Sequence, residues 1–138
     1  MYKLLWALLP LLAIACNRKQ SESTMQPNAP FENTRWKITS VAGVEKLPAT
    51  EKEMFARFNE GRFSAYAGCN QMTGAYTLDG SKLKITGPAS TMMACPEPVM
   101  AAERAILDAL AKVDRFDFDE AGDLLLIGGD AVLLRARF

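Results

Sequence analysis

From residue 35 onward the chain alternates apolar and polar positions over short runs, the period of half-buried β-strands. Arg35-Trp36-Lys37-Ile38-Thr39 predicts a first strand and Met54 to Phe58 a second. Asn59-Glu60-Gly61 reads as a turn. Arg62 to Ala67 then returns, with Phe63, Ala65 and Ala67 on one face. Gly68-Cys69-Asn70 interrupts the alternation. Gly74 to Leu78 and Lys82 to Thr86 flank Asp79-Gly80, a strong hairpin signal, and Lys82 and Lys84 face water.

The period then changes from two to that of a helix. Pro96 and Pro98 suit a first helical turn. Val99, Ile106, Leu110 and Val113 recur at helical spacing, Met100, Ala102 and Leu107 widen the stripe, and Glu103 is placed at its edge. Strand patterning resumes at Arg115 to Asp119. Leu124 to Ile127 is continuously apolar, which predicts burial on both faces. Gly128-Gly129-Asp130 turns the chain into a last strand with Val132, Leu134, Ala136 and Phe138 on one face. Five strands, a helix and three strands specify an α+β domain. Its architecture is a curved antiparallel sheet, or partly open β-barrel, of about eight strands with the helix packed across it.

The first 33 residues have neither period. Met1-Tyr2-Lys3 is followed by an uncharged apolar run from Leu4 to Ile14. As a helix this run is roughly 16 Å long, too short for a bilayer core of about 30 Å, and it fits the apolar middle of a secretion signal. Ala13 and Ala15 suit the narrow subsites of a signal peptidase, and Cys16 follows at once. Residues 1–15 therefore read as a lipoprotein signal peptide and Cys16 as the lipidated N-terminus of the mature chain. Two or three acyl chains hold a protein on its membrane where one does so weakly. In Gram-negative lipoproteins an Asp at the position after the Cys commonly means retention at the inner membrane, so the resemblance to that class, with Asn17 there, implies the periplasmic face of the outer membrane. Residues 17–33 are rich in Ser, Gln, Asn and Pro and read as a tether, so that the domain spans 34–138.

Composition narrows the chemistry. Loss of fifteen residues from 138 leaves 123, enough for one domain with a core. The mature chain carries 15 Lys and Arg against 16 Asp and Glu. Such a balance gives no electrostatic support to nucleic-acid binding. There is no His, which removes His-based nucleophile activation and His-ligated metals. With Cys16 lipidated, Cys69 and Cys95 remain in an oxidising compartment. A disulfide between them would stabilise by roughly 3 kcal/mol; two buried free thiols are the alternative.

Two segments carry a resemblance. Tyr66-Ala67-Gly68-Cys69-Asn70-Gln71-Met72-Thr73-Gly74-Ala75-Tyr76 resembles the first signature of META-domain proteins, among them the HslJ-like outer-membrane lipoproteins. Thr91-Met92-Met93-Ala94-Cys95-Pro96 resembles the second, with Trp36 and Glu103 at further matching positions. The resemblance implies a single domain of open-barrel type and a non-enzymatic envelope protein. It further implies heat-inducible expression and a role in stress tolerance, exercised by binding. The fold is also similar to that of pilot lipoproteins of type III secretion, which bind an acyl chain and a partner's C-terminal tail. No catalytic residues come with the family.

Several candidate sites follow. Gly68-Cys69-Asn70 suits a sharp bend beside a disulfide, or a small binding edge of Asn70, Gln71 and Thr91. A carrier of a lipid or small hydrophobic ligand would place it between helix and sheet, lined by Trp36, Met100, Ile106, Phe116 and Phe118. Met72, Met92, Met93 and Met100 with Cys69 and Cys95 form a sulfur-rich set of the kind that favours Cu(I). Met is also a common filler of apolar gaps, and a disulfide would consume both thiols, so no metal or cofactor is assigned. Glu97, Glu103, Asp108, Asp117, Asp119 and Asp123 show no pairing of the kind hydrolases use. The expected partners are the membrane, through the lipid, and an envelope protein or hydrophobic ligand; a monomer is expected.

Overall fold

A computed structural model describes residues 30–138. The expected signal peptide, Cys16 and residues 17–29 of the expected tether lie outside the described residues. Five strands come first: β1 (Arg35–Val41), β2 (Phe55–Asn59), β3 (Arg62–Tyr66), β4 (Gln71–Asp79) and β5 (Lys82–Ser90). Helix α1 (Glu97–Lys112) follows, then β6 (Arg115–Phe118), β7 (Leu124–Gly128) and β8 (Ala131–Arg137). Each strand pairs antiparallel with the next, and β8 returns to β1, so the sheet closes into a ring. The α+β order and the curved antiparallel sheet read from the pattern are what the chain forms.

The ring is thinnest between β5 and β6, the point where the chain leaves the sheet to make α1. A single register pair, Lys82 with Arg115, joins them. Two backbone bonds support it, Leu83 N–H to Asp114 O at 3.0 Å and Phe116 N–H to Ser81 O at 2.9 Å. α1 packs against β1, β5, β7 and β8. Pro96 is its N-cap and Pro98 lies in its first turn, where a missing N–H costs nothing. Lys112 in the last turn pairs with Asp108 at 3.6 Å. Among the described residues no helix is long and apolar enough to cross a membrane.

Alternate positions of the strands fill the ring. Trp36, Phe58, Met72, Leu83, Leu124, Leu126 and Leu134 are each under 2 % exposed, together with Ile106 and Leu110 of α1. Where the two-residue period slips, the ladder carries a register shift. One between Ile38 and Ser40 turns Val41 inward. Another between Leu126 and Ile127 leaves Val132 exposed, as is Phe138, so only Leu134 and Ala136 of the expected apolar face of β8 are buried. β7 is likewise not buried on both faces: Leu124 and Leu126 are inside, while Leu125 and Ile127 are half-buried outside.

The ordered domain also begins before Thr34. Phe31, inside the stretch read as tether, is buried and stacks on Phe58 at 4.5 Å and Phe116 at 4.3 Å between ring centroids. Its carbonyl accepts the Trp36 indole N–H at 3.0 Å. A lone aromatic in a polar stretch has no period to mark it.

Candidate functional site

β3 ends at Tyr66, and the chain must turn sharply to enter β4 at Gln71. Gly68 makes that turn at φ +107°, a conformation L side chains rarely adopt. A Cβ there would lie 2.6 Å from the Thr50 methyl, so the site demands glycine for space as well. Cys69 follows and is bonded to Cys95, with a Cα–Cα distance of 6.4 Å. The disulfide expected from the cysteine count is therefore present. It ties the β3–β4 turn to the segment that leads from β5 into α1.

Asn70 reinforces the same joint. It is 2 % exposed, and every hydrogen-bonding position of its amide is used. The amide nitrogen donates to Met93 O at 3.2 Å and to Glu103 Oε1 at 3.1 Å. The amide oxygen accepts from Met93 N–H at 2.8 Å and from the Thr91 hydroxyl at 2.9 Å. The Asn70 backbone N–H donates to Glu103 Oε1 as well, at 3.3 Å. Thr91 completes the link by accepting Gln71 N–H at 3.1 Å and donating its own N–H to Gln71 O at 3.0 Å.

Asn70, Gln71 and Thr91 are thus brought together, but as a clasp. An amide with all four positions occupied has none left for a ligand, and Gln71 joins through its backbone. Glu103 is not at the edge of the helical stripe. It is 4 % exposed, at the stripe's centre between Val99, Ala102 and Ile106. The sequence signal was there to be read: a carboxylate at that spacing must be buried, and a buried carboxylate requires donors.

The clasp holds residues 90–94 against one flank of α1, with an apolar groove of about 500 Å³ between them. Met92, Met93, Ala94, Met100 and Leu107 line it together with the polar Thr91 and Arg104, and Met92 is 96 % exposed. Met100 is the one residue of the expected ligand lining that faces this groove. Trp36 and Ile106 are fully buried. Phe116 and Phe118 are half-buried at the barrel's aromatic cluster, Phe118 lying 5.8 Å from Trp36. The sulfur-rich set is divided: Met72 is buried in the core and both cysteines are bonded to each other, while Met92, Met93 and Met100 meet at the groove.

The titratable groups that shift lie away from the groove. Burial and the bond from its hydroxyl to Glu32 push Tyr76 up to about 12. Asp114 is lowered chiefly by the Gly129 N–H, which it accepts at 2.8 Å. Asp119 is partly desolvated, which opposes ionisation. The N–H groups of Ala121 and Asp123 and the Arg135 guanidinium outweigh that and hold its carboxyl below the ordinary range.

The META domain profile matches residues 29–137, nearly all of the described chain. The protein belongs to the META domain family. Two solved structures share the fold. One, an NMR structure of a protein from Burkholderia xenovorans, is 23 % identical with a TM-score of 0.57, covering 78 % of this chain and 83 % of that one. A second NMR structure has the same identity and TM-score and covers 74 % and 85 %. Comparison with curated proteins gave no match.

Proposed function

We propose that this META-domain protein is a non-enzymatic binding module of the bacterial envelope, anchored through lipid on Cys16. Its groove beside Met92 and Met93 receives an apolar segment of another envelope protein. The observation that carries this reading is the almost complete exposure of Met92 on a segment that a disulfide and a fully satisfied amide hold in place. An apolar floor with polar residues at its margin is the usual anatomy of a docking patch. Methionine adapts its unbranched, polarisable side chain to a partner surface. The reading assigns no catalysis, because the carboxylate at the groove, Glu103, is committed to Asn70. Envelope stress tolerance is the physiological role attached to this contact.

A second reading places an acyl chain or small hydrophobic molecule in the same groove, whose volume of about 500 Å³ suits one. The packed interior at Trp36 and Ile106 favours the groove over the space between helix and sheet.

A photo-crosslinking residue at position 92 of the lipid-anchored protein, irradiated in whole cells, tests the first reading. A discrete protein adduct is expected, lost when Leu107→Asp places a charge in the groove wall. A residue at Thr77, which neighbours Val113 at the other end of α1, is the control. Equal adduct yields from positions 92 and 77 would overturn the proposal. Native mass spectrometry of protein purified with its membrane distinguishes the second reading by a co-purifying lipid.

A further inference from the structure

Glu103 leaves a question that the clasp does not answer. Its carboxylate is buried, yet it is paired with no cation among the described residues: Arg104, its neighbour on α1, bonds Glu97 instead. Its donors are the neutral groups of Asn70, and both of those bonds fall on Oε1. An anion held away from water without a counter-charge is costly. A carboxylate oxygen of Glu103 and the sulfurs of Cys69 and Cys95 all lie within 4.8 Å of one another.

We propose that the reduced form of this protein binds a thiophilic divalent cation, Zn²⁺, through the thiolates of Cys69 and Cys95 and the carboxylate of Glu103. While the disulfide is intact its sulfurs carry no thiolate charge, and the site does not exist. A phosphine or thiol reductant supplies the two electrons that break the S–S bond, giving two thiols. Zn²⁺ then displaces both thiol protons, forming two Zn–S bonds and one Zn–O bond. The cation answers the buried charge that Asn70 solvates only in part.

The geometry is close to what such a site needs. Sulfur ligands about 2.3 Å from a tetrahedral zinc stand roughly 3.8 Å apart, so once the S–S bond is broken the two sulfurs must part by roughly 2 Å, while the Glu103 oxygen, within 4.8 Å of both, needs to close by about 1 Å at most. Both cysteines are half-exposed, which gives the ion a path in and leaves the fourth position to water. The donor set of two thiolates and one carboxylate suits zinc. The site goes beyond the docking role and stands or falls without it.

The test uses the whole protein, purified oxidised and then reduced without oxygen by a phosphine. Co²⁺, the spectroscopic stand-in for zinc, should give a sulfur-to-cobalt charge-transfer band at one ion per chain, and Zn²⁺ should bleach it. Oxidised protein should give no band. Cys69→Ser should lose it. Glu103→Gln, which still accepts the Asn70 bonds, should keep the fold and bind zinc at least about tenfold more weakly. A reduced protein with no cobalt band would overturn the proposal. So would an affinity unchanged by Glu103→Gln, the behaviour of two thiolates on an opened chain.

Discussion

The opposite ends of β3 are closed by different chemistry. At the end that follows the Glu60–Gly61 turn, rings do the work: Phe31 stacks on Phe58 and Phe116, and Tyr76 meets Phe58 edge-on at 5.4 Å. At the other end Gly68, the Cys69–Cys95 bond and the Asn70–Glu103 contact join three elements through specific, fully used polar and covalent links. Apolar burial is non-directional and tolerates repacking. A saturated amide does neither, because each donor and acceptor fixes a position. The aromatic end therefore contributes stability, whereas the clasp contributes geometry. The clasp is also where large apolar side chains, Met92 and Met93, are left in water.

Exchanging one atom at the clasp breaks this comparison most sharply. Asn70→Asp keeps the shape but replaces a donor with a second carboxylate against Glu103. At neutral pH the cost should be about 3 to 5 kcal/mol, the range for an uncompensated buried charge. Adding Glu103→Gln, which removes one of the two facing carboxylates, should recover most of that loss. Phe31→Ala at the other end should cost about 3 kcal/mol, a cost that Glu103→Gln should leave unchanged. Urea midpoints of the single and double variants check both. A loss in Asn70→Asp that Glu103→Gln does not relieve would show that the Glu103 contact is not what the substitution breaks.

Removing the disulfide ranks next. The double substitution Cys69→Ala with Cys95→Ala should cost roughly 3 kcal/mol, since the closed loop restrains the unfolded chain. Asn70 should nonetheless keep the joint shut in the folded state. Hydrogen exchange at Met93 N–H, which donates to Asn70 Oδ1, reads this directly. Its protection should largely survive loss of the disulfide and fall in Asn70→Ala with the disulfide intact. The reverse ranking would make the covalent bond, not the amide, the element that positions the methionines.

The strands, the hairpin at Asp79-Gly80 and the helix were legible because each is local: a period of two, a glycine turn, a period near 3.6. Gly80 does take a positive φ of 59° at that turn. What the pattern hid is non-local. Asn70 and Glu103 are separated by 33 residues, and no period announces that they meet. Register shifts displaced Val41 and Val132 because one slipped residue swaps the faces of a strand. The cysteine pair was legible by count, and it led to the right corner of the molecule. The motif residues beside it read as an edge for ligands because their spacing could not show that they satisfy one another.

The aromatic end has its own pH signature. Tyr76 is buried with its hydroxyl on Glu32, so the fold disfavours its ionised form and its folded pKa, near 12, lies above the ordinary 10.0. A group shifted this way contributes fully below pH 10, and that contribution is lost as pH rises through 12. Between these limits the wild-type chain should lose roughly 2 to 3 kcal/mol that Tyr76→Phe does not. Parallel melting of both proteins from pH 9 to 12 measures it. Identical slopes would mean that Tyr76 ionises in the fold without penalty, and that the aromatic end admits water.

The smallest expected effect on stability carries the most about function. Met92 is almost wholly in solvent, so Met92→Asp removes little buried area and should change stability by no more than about 0.5 kcal/mol. It leaves every bond of the clasp in place, because Asn70 reaches the backbone of Met93 and the hydroxyl of Thr91 rather than any methionine side chain. A charge at that position should still abolish docking, since an apolar partner would have to bury it. A variant that melts with the wild type yet yields no photo-adduct from a crosslinking residue placed at neighbouring Met93 would separate presentation from folding. If it melts early, Met92 is part of the packing after all, and the difference drawn between the two ends of β3 fails at the residue meant to define it.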